Sequence, residues 1–214
     1  MVKRLAAIVV LTQAVGCALI LGFEDHEPFP EGSGGQGGGP SAGGGPQGGE
    51  GGTPGTPVLL IPDRGTNAIG LYDPNDGHYL ADLIVSPASG QPFAFDSPND
   101  AVKGPDGRIY VSDQLADCIF TFDESGTFLG LFADASDGLD NVRGIDFRDG
   151  ELFASVSPGG APPFVARFDL QGNRLADFVN DGSDPFDVTF LGSGTMLMAN
   201  ILDPDDVRLY DVNG

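Results

Sequence analysis

Residues 100–132 read DAVKGPDGRIYVSDQLADCIFTFDESGTFLGLF. Four short runs fill this stretch. They begin at Ala101, Arg108, Ile119 and Phe128, and each is rich in β-branched and aromatic residues, which suit a half-buried pleated strand. The runs are separated by turn chemistry: Pro105-Asp106-Gly107 after the first, Asp113 after the second, and Asp123-Glu124-Ser125-Gly126 after the third. Asp in such turns accepts hydrogen bonds from its own following backbone, and Gly supplies a positive φ without steric cost. No stretch beyond residue 57 carries a long apolar stripe at the 3.6-residue helical period.

The same frame recurs. VLLIPDRGTNAIGLYDPNDGHYLADLI starts at Val58, GIDFRDGELFASVSPGGAPPFVARFDLQGNRLADFV at Gly144, and DVTFLGSGTMLMANILDPDDVRLYDVNG at Asp187. An aromatic-Asp pair anchors each unit: Tyr72-Asp73, Phe122-Asp123, Phe168-Asp169 and Tyr210-Asp211. The Asp residues are 50, 46 and 42 positions apart, and Gly77, Gly126, Gly172 and Gly214 follow them at three or four residues. Four short strands per unit, with Asp/Gly turns at a period near 45, is the pattern of a β-propeller blade. The chain is therefore read as all-β, with a propeller over residues 57–214.

The repeated frame resembles NHL-repeat and related six-bladed propellers. The resemblance lies in a Pro shortly before the first strand (Pro98, Pro185), a turn ending in Gly, a strand ending near Asp113, the aromatic-Asp pair, and a closing strand that ends in Phe. The third unit departs through Pro158-Gly159-Gly160-Ala161-Pro162-Pro163, expected as an extended loop between strands. Fourteen strands are expected, or about three and a half NHL-like blades: four each in the second and third units, three each in the first and fourth. Propellers have 4–8 blades. The count fits a truncated or partial propeller, and the alternative is a closed four-bladed ring with a thin seam.

Residues 1–16 read as an export signal. Lys3 and Arg4 precede the short apolar run at residues 5–11, and small residues follow. Ala14-Val15-Gly16-Cys17 resembles the lipobox of bacterial lipoproteins, with Ala14 where that family usually has Leu. The resemblance implies acylation of Cys17, and each buried methylene adds about 0.8 kcal/mol of membrane affinity. An uncleaved membrane helix over residues 5–23, or plain secretion, are the alternatives. All three place the rest of the chain outside the cytoplasm, in the lipoprotein case on the bacterial envelope facing periplasm or exterior. Residues 17–56 form the lipidated N-terminus and a tether, with 14 Gly in residues 32–56. Such a tract cannot bury enough apolar surface to offset backbone entropy.

Composition excludes several functions. With 31 Asp+Glu against 10 Lys+Arg, the chain has a formal charge of -21, the opposite of a nucleic-acid binder's footprint. There is no Gly-x-Ser-x-Gly elbow, no P-loop, and only one histidine, His78, in the repeats. Cys118 shares strand parity with Phe120 and Phe122 and reads as a small buried hydrophobe. No cofactor is called for. Ca²⁺ is the one cation to weigh, through Asp134, Asp137, Asp140 and Asn141, or through Asp203, Asp205 and Asp206. Residues 73–77, DPNDG, fall one residue short of the EF-hand pattern, and Asp in turns is the ordinary explanation.

In related propellers, ligands sit at the central opening on loops that enter the innermost strands. Carried onto this sequence, those positions are Asn99, Asp100, Asn141, Arg143, Asp184 and Asp187. Gluconolactonase-type hydrolases look similar and hold a metal there through Glu, Asn and Asp; this chain has no Glu at those positions. The expected function is a lipid-anchored binding scaffold for a protein, peptide or glycan of the envelope, with no catalytic residue assigned. A metal-dependent lactonase-like hydrolase, or a propeller fragment without independent activity, are the alternatives.

Overall fold

The computed structural model describes residues 57–87, 92–211 and 214. The expected signal, Cys17 and the tether lie outside the described residues. Four antiparallel sheets follow one another along the chain. The first is β1 (Leu59–Asp63), β2 (Ala68–Tyr72) and β3 (Tyr79–Val85), paired in that order. The second is β4 (Pro98–Lys103), β5 (Ile109–Asp113), β6 (Cys118–Phe122) and β7 (Phe128–Ala133). The third is β8 (Val142–Arg148), β9 (Glu151–Val156) and β10 (Phe164–Asp169), and the fourth is β11 (Pro185–Phe190), β12 (Met196–Asn200) and β13 (Asp206–Tyr210). These are the four units read from the sequence, and the architecture is that of a partial β-propeller.

The strand expected after Asn173 is reduced to two bridges, Phe168 to Arg174 and Val165 to Val179. Between them, Leu175 N–H and Phe178 N–H donate to Arg167 and Val165, and the intervening residues bulge away. Residues 158–163 lie in the loop between β9 and β10, as expected.

Apolar side chains alternate along the strands, so each sheet offers one face to the preceding sheet and the other to the following one. Three buried clusters result. Ile69, Ile84, Val111, Phe120 and Phe122 join the first sheet to the second. Tyr110, Ile119, Leu152, Ala154 and Phe168 join the second to the third. Phe153, Val165, Val188, Met196 and Met198 join the third to the fourth. Cys118 is buried in the first cluster, as its parity predicted. Burial pushes its thiol pKa up to about 12.

The aromatic-Asp-x-x-Gly turn has a structural reason. Asp123 Oδ1 accepts from the N–H groups of Ser125 and Thr127, both at 2.9 Å, and Asp169 Oδ1 accepts likewise from Gln171 and Asn173. The Ser125 hydroxyl and the Asn173 amide, with these backbone donors, hold both carboxyls below the usual range. The closing Gly172 adopts φ 82° and lies against the preceding sheet, where a Cβ would sit 2.6 Å from the Phe132 carbonyl oxygen. Gly126 abuts the Leu83 carbonyl in the same way. The motif thus closes a hairpin and seats one sheet on the next.

Candidate functional site

Strands β4, β8 and β11 are the inner strands, and β8 packs against both of the others. Register places Pro98, Val142 and Pro185 at equivalent first positions. Asn99, Arg143 and Phe186 are then equivalent and lie at the end where the chain enters each inner strand. Arg143 is only 8% exposed. Its guanidinium meets Asp184 Oδ1 at 3.2 Å and stands 5.3 Å from the Phe186 ring centroid, while its buried Nε has no acceptor among the described residues. Asn99 is half-buried and Phe186 exposed, so a polar and an aromatic group flank the Arg143–Asp184 pair at this mouth.

The next position along holds Asp100, Gly144 and Asp187. Asp100 is buried, and its Oδ1 accepts from Ala101 N–H and its Oδ2 from Ile145 N–H on β8, both at 2.8 Å. Asp187 Oδ1 accepts from Val188 N–H at 2.8 Å. Gly144 is required between them, because a Cβ there would lie 2.7 Å from the Asp187 Cα and run into its carboxylate. Burial, together with the Asp187 charge, pushes the Asp100 pKa up to about 7, and burial pushes Asp187 up to about 6. Asp146 lies two residues further along β8. It accepts from Phe147 N–H and from Phe190 N–H on β11, both at 2.7 Å, and burial raises its pKa as well.

Carboxylates therefore clip one inner strand to the next: Asp100 ties β4 to β8, and Asp146 ties β8 to β11. Serines do the same from the second strands. Ser112 Oγ accepts from Asp100 N–H and donates to the Arg143 carbonyl, and Ser155 Oγ reaches the Gly144 and Phe186 carbonyls. The mouth is thereby set on a hydrogen-bonded frame, and its polar groups are pre-positioned.

Of the six expected residues, the structure brings Asn99, Arg143 and Asp184 to the mouth and places Asp100 and Asp187 just beneath it. Asn141 is used elsewhere. It sits at φ 54°, its N–H donates to Asp117 Oδ1 at 2.7 Å, and its side chain binds the Ser157 carbonyl and Gln114. It ties the turn of the second sheet to the third. Phe186, Asp146, Ser112 and Ser155 belong to the arrangement and were not expected from the sequence.

Four of the carboxylates weighed for Ca²⁺, Asp134, Asp137, Asp140 and Asp206, are engaged in local structure. Asp134 and Asp137 form a reciprocal cap around a single helical turn, Ala135–Asp137. Asp140 accepts from Gly159 N–H, and Asp206 from Asn200 and Arg208. Among the described residues, no group of three or more His, Cys, Asp or Glu is arranged to hold a metal ion. At the opposite end of the inner strands, a shallow depression of about 480 Å³ is lined by Phe147, Arg148, Phe190 and Leu191. The Arg148 guanidinium stands 4.8–5.2 Å from the Phe190, Phe178 and Phe153 ring centroids and serves the packing there.

No family model and no curated protein matches the chain. Solved structures do. The chain resembles one from a nidogen/laminin complex, at TM-score 0.55 and 19% identity over 72% of this chain and 60% of that one. It resembles a gluconolactonase from Xanthomonas campestris at TM-score 0.53 and 21% identity, covering 73% of this chain and 56% of the other. A putative gluconolactonase gives TM-score 0.52 and 15% identity over 72% and 59%. At these identities the likeness establishes the propeller fold alone, and the chain spans under two thirds of each of these proteins.

Proposed function

We propose that this chain is an extracytoplasmic, lipid-anchored binding scaffold whose mouth, formed by Asn99, Arg143, Asp184 and Phe186, takes a protein, peptide or glycan group of the envelope. The observation that carries the reading is Arg143. It is buried on a fixed frame, its charge is met by Asp184, and its Nε is left without an acceptor among the described residues. A buried donor without an acceptor costs about 1–3 kcal/mol. Nε is closed to solvent, so a ligand carbonyl or hydroxyl oxygen would relieve that cost as the guanidinium shifts on binding. With Arg143 neutralised by Asp184 and acidic residues beneath, the mouth suits a neutral polar group better than an anion. The exposed ring of Phe186 adds a surface for the apolar face of a sugar or side chain. Residues 1–56 supply the anchor and spacer through Cys17 and the Gly-rich tract.

The test is an array of envelope glycans and peptides probed with the full chain. Saturable binding that falls at least tenfold in Arg143→Ala and in Asp184→Ala supports the reading. Binding that ignores both substitutions, or no binding at all, refutes it. Membrane fractionation checks the anchor: Cys17→Ala should release the protein.

A second reading, a lactonase-like hydrolase, draws on the paired Asp100 and Asp187, whose raised pKa values suit proton transfer near neutrality. Two of the structural relatives are described as gluconolactonases. Lactone hydrolysis by the full chain, abolished in both Asp100→Asn and Asp187→Asn, would select it over the scaffold.

A further inference from the structure

The two ends of the inner strands differ in how their charge is met. At the end opposite the mouth, cations answer carboxylates: Lys103 meets Glu124 at 2.7 Å, Arg108 meets Asp106 at 3.5 Å and Arg148 meets Asp149 at 3.6 Å. At the mouth end, Asp96 leads into β4, Asp117 closes the β5–β6 turn, and Asp134, Asp137 and Asp140 lead into β8. Among the described residues, no Lys or Arg forms an ion pair with any of these five. Residues 109–142 hold no Lys, Arg or His, and Arg143, next in the chain, is already met by Asp184. Like charges gathered on one face focus a field that draws the opposite charge. The second and third sheets each pack against a neighbour on both sides, so this face stands open whatever lies beyond the first and fourth.

The same end holds every buried side-chain polar atom left without a partner among the described residues: Asn67 Oδ1, Ser97 Oγ, Gln114 Oε1 and Arg143 Nε. Ser97, only 2% exposed, sits beside Asp96. Asn67 and Gln114 lack a donor, and Ser97 can accept one, whereas Arg143 lacks an acceptor. An ammonium or guanidinium group next to a peptide carbonyl supplies both, reaching them as these side chains shift on binding.

Uncharged loop tips lie among the carboxylates. Leu115 is 60% exposed in the β5–β6 turn, and residues 158–163, PGGAPP, are mostly exposed in the β9–β10 loop. Gln114 Nε2 donates to Asn141 Oδ1, and Asn141 Nδ2 donates to the Ser157 carbonyl, so the two tips are neighbours. Asp117 ends the first turn, and Asp140 accepts from Gly159 N–H in the second loop. An uncharged centre with a polar, charged rim is the make-up of a protein interface.

We propose that the mouth-end face of the second and third sheets docks a segment of a protein partner that is rich in Lys or Arg and carries apolar residues between them. This rests on the reading of the mouth as a binding face, and it narrows the partner from a protein, peptide or glycan group to a basic peptide segment. Basic side chains meet Asp96, Asp117 and Asp140, apolar ones cover Leu115 and residues 158–163, and a backbone carbonyl serves Arg143 Nε. An uncharged glycan gains nothing from the carboxylates, and an anionic partner is repelled by them.

The test is fluorescence anisotropy of a labelled peptide of alternating Lys and Leu, titrated with the full chain carrying Cys17→Ala so that no acyl chain contributes. Saturable binding is expected, and it should weaken as salt rises. Asp96→Asn/Asp117→Asn/Asp140→Asn keeps the acceptor oxygens, removes the charge and should raise Kd about tenfold. Asp76→Asn/Glu124→Gln/Asp149→Asn removes the same charge at the opposite end and should change Kd by less than about twofold. Each triple is first checked for an unchanged thermal midpoint, and the pairs that omit Asp117 and Asp76 stand in reserve should a triple unfold. No binding of the Lys/Leu peptide overturns the proposal. So do equal losses in the two triples, or tighter binding of the matched Glu/Leu peptide. Arg143→Ala separates this proposal from the reading beneath it. Neutral array probes that need Arg143, with the Lys/Leu peptide unbound, overturn the proposal and leave the mouth standing. A Lys/Leu peptide that needs the carboxylates but ignores Arg143→Ala supports the proposal and refutes the role given to Arg143.

Discussion

Replacing Gly172 by Ala isolates the force that seats one sheet on another. The substitution acts in three ways. Ala reduces the freedom of the unfolded chain, which stabilises by about 0.4–1 kcal/mol. It places a side chain at φ 82°, where the left-handed conformation costs roughly 1–2 kcal/mol. It also puts a Cβ 2.6 Å from the Phe132 carbonyl oxygen, well inside the 3.4–4 Å of ordinary contact, so the third sheet must back away from the second by almost an ångström. Overpacking of that kind costs about 1–3 kcal/mol. Gly77 is the internal control, because it closes the equivalent turn at φ 73° with nothing described within 4 Å. Gly77→Ala should therefore cost about 1 kcal/mol, and Gly172→Ala about 2–4 kcal/mol. The first two effects cancel in the difference, which leaves the contact between sheets. Urea unfolding of the full chain reads both values from the midpoint shift at constant slope. Equal losses for the two substitutions would refute the claim that this turn seats the sheets.

Three further outcomes follow from the geometry. Asp100 and Asp187 bind protons more tightly when folded than when unfolded, so their contribution is full below about pH 4. It is lost as pH rises through about 6 and about 7. Denaturation midpoints should fall across that window, and Asp100→Asn should flatten the fall. The turn carboxylates Asp123 and Asp169 act oppositely, and only below the usual carboxylate range. Ile119→Ala removes a fully buried side chain between the second and third sheets and should cost about 2–5 kcal/mol by urea unfolding. Leu131→Ala, on an exposed site, should stay within about 0.5 kcal/mol. Cys118 is buried and its thiol pKa is raised, so it should resist a maleimide reagent in the native state and react once unfolded.

The fold was legible because its signal is local and repeated. Phe122-Asp123 with Gly126, and Phe168-Asp169 with Gly172, each encode a hairpin turn and the contact that seats it, and four copies made the period plain. The strand after Asn173 was over-read, because Leu175 and Phe178 look strand-like whereas the observed pairing uses only the two ends of the segment. The site was less legible. Asp100 and Asp187 stood out by aligning at one position, but Asp146 sits two residues off that alignment, since Gly144 takes the aligned place to make room for Asp187. Phe186 carries no such signal, because an apolar residue at the start of a strand is indistinguishable from core in the sequence. Asn141 was included because its position matched, yet its positive φ turns it into a tie between sheets. Ser112 and Ser155 share one strand position, and that repetition was the signal that would have found them.

A ligand taken at the mouth, where the chain enters its inner strands, would be visible by NMR. The most direct measurement is a titration of the ¹⁵N-labelled full chain with the tightest-binding probe from the envelope array, followed by amide chemical shifts. Saturable shifts centred on Asn99, Arg143, Asp184 and Phe186 are expected, with the Arg143 Nε–H resonance moving as it gains an acceptor. Shifts centred instead on Phe147, Arg148 and Leu191, at the opposite end of the same strands, would contradict it.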